Sequence, residues 1–179
     1  MRRLFAFAAA ALLLAAGGHA VADAAGAAVQ SDAARPALTG RVVDLADLLS
    51  PGEEAYLVER LAALEARTTD QLVIATVPSL GGRSIDDYSL ALFNRWGLGQ
   101  ADKDNGVLLL VAPAERQVRI QVGHGLERIL TDARARAIVD SEILPQFQQS
   151  RWYEGIRGGA RAIIGLLVQN EREPRRGRP

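Results

Sequence analysis

The sequence predicts an α/β protein: a layered α/β/α sandwich whose small mixed sheet contains an antiparallel hairpin and carries helices on both faces. Three observations lead there. Apolar runs of strand length, Gln71–Val77 and Val107–Val111, alternate with stretches whose apolar residues recur every three or four positions, the spacing of one helical face. Val107–Val111 is apolar throughout, as a strand covered on both faces must be, whereas Gln117–Val122 alternates and sets Val118, Ile120 and Val122 against a core. Only Ala112–Arg116 separates these two runs, too little chain for a parallel crossover, so they pair as a hairpin.

Taken in order, the chain opens with Arg2 and Arg3, an apolar run from Leu4 to Ala16, and small residues that offer Gly18-His19-Ala20 or Ala22-Asp23-Ala24 as cleavage sites. Residues 1–24 are therefore expected to be a signal peptide, and the mature protein to be soluble in the periplasm or secreted. The run is too short to span a membrane comfortably, and no other reaches that length, so no transmembrane segment is expected in the mature chain. Residues 25–39, rich in Ala and Asp and without periodicity, read as a linker to a domain over residues 40–170.

Within the domain, Val42–Leu49 leads into Ser50-Pro51-Gly52-Glu53, a helix start with a capping serine, a proline in the first turn and a glutamate three residues on. Leu57, Leu61 and Leu64 give that helix one apolar stripe, and it should end near Arg67. After the strand at Gln71–Val77, Ser84 starts a second helix carrying Ile85, Tyr88, Leu92 and Trp96, stopped by Gly97 and Gly99. Beyond the hairpin, Thr131 caps a helix expected to run to Glu142 and to break before Pro145. Tyr153–Val168 is the last helix, and the charged segment 171–179 is expected to be disordered.

Composition removes several function classes. Formal charge balances to zero, which offers no field for nucleic acid. There is no cysteine, so disulfides, thiol catalysis and zinc–thiolate sites are excluded. Phosphate-cradling loop, dinucleotide fingerprint and serine elbow are all missing. Asp102-Lys103-Asp104-Asn105-Gly106 also fails as an EF-hand, because its glycine comes one place early.

The same loop nevertheless concentrates oxygen donors. Hairpin pairing sets it beside Gly123-His124-Gly125, so Asp102, Asp104 and Asn105 converge with that turn at one sheet edge. Carboxylates and amides on a glycine-rich loop suit a hard cation, with Ca²⁺ expected first and Mg²⁺ or Mn²⁺ as alternatives. Asp44 and Asp132 would add ligands if their helix-entry loops reach the same edge. Those residues have an equally simple structural reading: Asp-Asn-Gly is turn chemistry, Asp132 a helix cap, and Asp44 a loop acceptor. Arg119, on the polar face of the second hairpin strand, is a candidate for an anion or an ion pair. With Asp104 and His124, the only histidine beyond residue 24, it completes the candidate catalytic groups.

These residues resemble the TPM domain family, also called the TPM phosphatase family, which includes a plant thylakoid-lumen protein of photosystem II repair, many exported bacterial proteins and animal auxiliary proteins of acetylcholine receptors. The resemblance rests on Val43-Asp44, Trp96-Gly97-Leu98-Gly99, Asp104-Asn105-Gly106-Val107-Leu108, Arg119 to Glu127, Leu130-Thr131-Asp132, and Pro145 with Phe147 and Tyr153. It implies the α/β sandwich, export, divalent-cation binding near the acidic loop and an acid phosphatase activity. Asp44, Asp104, Asn105, Arg119 and Asp132 match the family's motif by position. The chain departs from it at Thr69 and Arg128, where glycine is usual, and at His124, where tyrosine is usual.

Two functions follow as expectations. The first is a divalent-cation-binding interaction or auxiliary module for a membrane-associated protein complex, favoured by the shortage of general acid–base groups. The alternative is a metal-dependent acid phosphatase acting on phosphate monoesters, with Arg119 holding the ester.

Overall fold

The computed structural model describes residues 36–172, so the signal peptide expected over 1–24, the linker before residue 36 and the tail from residue 173 lie outside the described residues. The elements are β1 (Val42–Asp44), α1 (Pro51–Thr68), β2 (Gln71–Thr76), α2 (Ile85–Trp96), β3 (Gly106–Ala112), β4 (Gln117–Val122), a 3₁₀ turn at His124–Leu126, α3 (Asp132–Ile138), a π-helical turn at Val139–Ile143, α4 (Leu144–Phe147) and α5 (Trp152–Arg172). The strands lie in chain order, β1-β2-β3-β4; β1, β2 and β3 are parallel and β4 runs antiparallel to β3. The expected mixed sheet and its hairpin are thus present.

The all-apolar character of β3 has a direct cause: it is interior to the sheet, and its side chains serve two cores in alternation. Val107, Leu109 and Val111 join Leu72 and Ile74 of β2 beneath α1, α3 and α5. Leu108, Leu110 and Ala112 join Val73 and Ala75 on the opposite face, beneath Tyr88 and Leu92 of α2. On β4 only one face is apolar, and Ile120 accordingly enters the first core with Val118 and Val122 packed beside it.

Local signals set the helix ends. Glu53 accepts the backbone N–H of Ser50 at 2.8 Å, the reciprocal half of the expected capping box. Ser84 and Thr131 oxygens accept from the N–H groups of Asp87 and Arg134. Gly97 ends α2 in the left-handed region, at φ 57°. Thr69 does the same for α1 at φ 66°, a conformation strained for a β-branched residue and open to glycine without strain. At the far end of the sheet, Glu115 in the hairpin turn accepts from the Ser79 hydroxyl at 2.6 Å and Leu80 N–H at 2.8 Å, tying the β3–β4 turn to the β2–α2 loop.

Three expectations are corrected. Val42–Asp44 is a strand and not merely a lead into α1; at three residues on the sheet edge it is too short to show a period. The helix after Thr131 does not break before Pro145. It widens instead into a π turn, with Leu144 N–H bonding to the Val139 carbonyl, so Pro145 falls in the first turn of α4, where a missing N–H leaves nothing unpaired. Finally, α5 continues through residues 171 and 172, and Glu171 forms an ion pair with Arg67 of α1 at 2.9 Å, so that end of the expected tail is helical.

Glycines let α5 approach the widened helix closely. A Cβ at Gly155 would stand 2.6 Å from the Phe147 ring and 3.0 Å from the Ile143 carbonyl oxygen, and one at Gly159 would stand 2.6 Å from the Ile143 side chain. Gly155→Ala is therefore expected to destabilise the domain by about 1–3 kcal/mol through overpacking. Leu109→Ala, which empties a fully buried site on β3, should cost about 2–5 kcal/mol. Denaturant unfolding of each variant beside the parent checks both values.

Candidate functional site

The acidic loop lies where β3 begins and β4 ends, beside the 3₁₀ turn, as hairpin pairing requires. Its rigidity comes from below. Asn105 is 4 % exposed, and its side chain ties its own loop to the α1–β2 junction: Oδ1 accepts Gln100 N–H at 2.8 Å, while Nδ2 donates to the Thr69 carbonyl at 2.8 Å and to Asp70 Oδ1 at 3.2 Å. Gln71 adds a further tie by accepting Gly99 N–H at 2.8 Å. Gly125 N–H bonds to the Asp104 carbonyl at 3.1 Å, and the packing there admits no side chain: a Cβ at Gly123 would overlap the Asp104 carbonyl oxygen, and one at Gly125 that of Lys103. Asp104 itself holds φ 48°, which a short polar residue tolerates.

Above this brace, Asp102 and Asp104 are exposed, and neither carboxylate has a side-chain partner among the described residues. Lys103 between them donates to the Thr69 hydroxyl at 3.1 Å. Asn105 sits beneath the loop with its amide engaged in the bonds just described, so it supports the carboxylates instead of joining them.

The other expected site residues are dispersed. Asp44 ends β1 in register with Thr76 and Val111, five residues along the sheet from the Gln71–Gly106 pair, so it stands about 16 Å from the acidic edge. Parallel strands put the end of β1 and the start of β3 at different ends of the sheet. The Asp44 carboxylate accepts the Thr76 hydroxyl and Leu49 N–H, the structural reading of this residue. Asp132 opens α3 and lines a cavity of about 280 Å³ with Arg119, Gln121 and Glu127. Arg119 lies on the α2 face of β4, where its Nε is 3.2 Å from Asp86 Oδ1, an ion pair whose angle makes no hydrogen bond. His124 has a side chain 86 % exposed, and its Nδ1 is 2.8 Å from Glu127 Oε1.

Of the candidate catalytic groups, Asp104 and His124 lie at one edge, where Gly125 N–H bonds to the Asp104 carbonyl, but Arg119 does not join them. Four residue steps separate Arg119 from Gly123 just beyond β4, about 13 Å of extended chain. Among the described residues no group of three or more Asp, Glu or His side chains is arranged to hold a metal ion. The loop offers two carboxylates, and Ca²⁺ takes roughly six to eight oxygens, counting carbonyls and water. Asp70, hidden at a helix–strand junction, was not singled out by sequence, and Glu127 entered only as the end of the matching stretch from Arg119, with no role of its own.

The parallel three-strand unit with an antiparallel edge strand, α2 on one face, and a braced acidic loop where the hairpin opens define a class of domain. A family model described as the TPM domain matches residues 42–166, and the chain belongs to that family. Among solved structures it is similar to the N-terminal domain of a Porphyromonas gingivalis protein, with 32% identity, a TM-score of 0.69, and 74% of this chain and 84% of that one covered. It shares the fold of the N-terminal domain of cg2496 protein from Corynebacterium glutamicum, at 18% identity and TM-score 0.57 over 71% and 79% of the two chains. It likewise shares that of BA42 protein from the psychrophilic bacterium Bizionia argentinensis, at 20% identity and TM-score 0.59 over 68% and 82%. No curated protein matches the chain.

Burial pushes the Asp70 carboxyl above its ordinary value of 3.8, against the opposing pull of the Asn105 and Thr68 hydrogen bonds and of Lys103. The folded state therefore holds that proton more tightly than the unfolded state, a relative stabilisation complete below 3.8 and lost as pH rises through the folded value. Asp70→Asn keeps an acceptor for Asn105 and removes the charge. It should be more stable than the parent at neutral pH, with the difference shrinking as pH falls toward 3.8; thermal unfolding over pH 3 to 8 measures it.

Proposed function

We propose that the protein is an exported auxiliary module, periplasmic or secreted, that docks on a membrane-associated protein complex through the acidic loop and the neighbouring 3₁₀ turn. The observation that carries this reading is the braced loop, which presents the exposed Asp102 and Asp104 carboxylates on a rigid support. A preformed surface loses little freedom on binding, and that favours docking. The separation of Arg119 from Asp104 and His124 weighs in the same direction. No helix among the described residues is long and apolar enough to cross a membrane.

A divalent cation belongs to this proposal as a bridge between the loop and its partner. Asp102 and Asp104 would hold it, Ca²⁺ first and Mg²⁺ or Mn²⁺ otherwise, with water and the partner supplying the remaining oxygens. The alternative is a metal-dependent phosphatase acting on phosphate monoesters, supported by Arg119 beside a cavity that Glu127 and Asp132 also line.

Calorimetric titration of Ca²⁺, Mg²⁺ and Mn²⁺ into the intact protein is expected to give saturable heat that Asp104→Ala abolishes; no heat in the parent removes the cation from the proposal. Crosslinking in intact cells is expected to recover a membrane-associated partner, lost when Asp102 and Asp104 are both replaced by Ala, and failure to recover one overturns the docking role. Hydrolysis of an aryl phosphate that disappears in Arg119→Ala would establish the phosphatase instead.

A further inference from the structure

A second surface carries charge of the opposite sign. On the outer side of the helix layer, a groove of about 680 Å³ runs between α1, α5 and the segment holding the π turn. Its volume is that of a pocket for a small molecule. In a chain of zero formal charge, four arginines converge there, Arg60, Arg151, Arg157 and Arg161, against two carboxylates, Glu142 and Glu154.

The carboxylates account for only two of the four. Glu154 pairs with Arg157 at 2.5 Å, and Glu142 lies 3.6 Å from Arg161. Arg60, on α1, and Arg151, just before α5, have no carboxylate partner among the described residues. Two of the guanidinium groups are also held by aromatic rings: Arg60 lies 5.0 Å from the centroid of Tyr56, and Arg157 lies 5.5 Å from that of Tyr153. A guanidinium over a ring keeps its N–H edge free for a second partner, and its forked donors match the paired oxygens of a phosphate or carboxylate.

We propose that this groove binds a small molecule carrying two oxyanion groups, phosphate or carboxylate, one engaged by Arg60 and the other by Arg151. The binding is separate from the acidic loop and stands whether or not that loop docks a partner. Glu142 and Glu154 steady the intervening arginines and disfavour a long polyanion, which would have to pass both carboxylates.

The test follows the backbone amide resonances of the intact protein during titration with inorganic pyrophosphate and, separately, with citrate. Saturable shifts confined to the groove are expected with at least one of them. Affinity should fall about tenfold or more in Arg60→Ala and in Arg151→Ala, and should be unchanged in Arg128→Ala, which removes the same charge from an exposed site outside the groove. Response to pyrophosphate alone assigns phosphate groups, response to citrate alone assigns carboxylates, and response to both assigns the shared oxyanion chemistry. Absence of saturable shifts with either probe, or equal weakening in all three variants, overturns the proposal. All three arginines are exposed, so their replacement leaves the cores intact.

Discussion

The side chain of Asn105 is the joint on which the domain's functional edge depends. A primary amide has two donors and an acceptor, and here all three kinds of work are done at once: it closes the acidic loop through Gln100, reaches the last turn of α1 through the Thr69 carbonyl, and meets the buried Asp70. A hydroxyl, with a single donor, or a carboxylate, with none, could not make all three bonds, because one acceptance and two donations meet in one buried group. Its neighbours are fitted to it. Gln71 ties Gly99 from the first residue of β2, and the Cβ-free backbone at Gly123 and Gly125 lets the 3₁₀ turn close against the loop carbonyls.

That joint also shows where sequence reading succeeds and where it stops. Asp-Asn-Gly was recognisable as a turn with possible ligands, and the hairpin followed from a short connection between two apolar runs. What could not be read was the direction of each side chain. Asn105 points inward and Asp102 and Asp104 do not, although all lie within four residues, because loop backbone has no period from which facing can be inferred. Asp44 was misplaced as a candidate reinforcement for a different reason: its position depends on strand order and polarity, and β1 was too short to announce itself as a strand.

The helices were legible to the degree that local chemistry decided them. Ser50, Ser84 and Thr131 marked starts that the backbone uses, and the leucine stripe of α1 forecast its buried face. Pro145 misled because a π turn changes which N–H groups need partners, and nothing within the segment distinguishes that outcome from a simple break. Likewise, Arg60 and Arg151 are ordinary surface residues in sequence; only the packing of α1 beside α5 brings them to one groove.

The strand order has a consequence for chirality. β1, β2 and β3 are parallel and adjacent in chain order, yet α1 covers one face of the sheet and α2 the other. Two crossovers that step the same way across a sheet, one in front of it and one behind, must have opposite hands. One of the pair therefore runs against the right-handed sense that nearly all such connections take, and the domain cannot be generated by repeating a single strand–helix–strand unit.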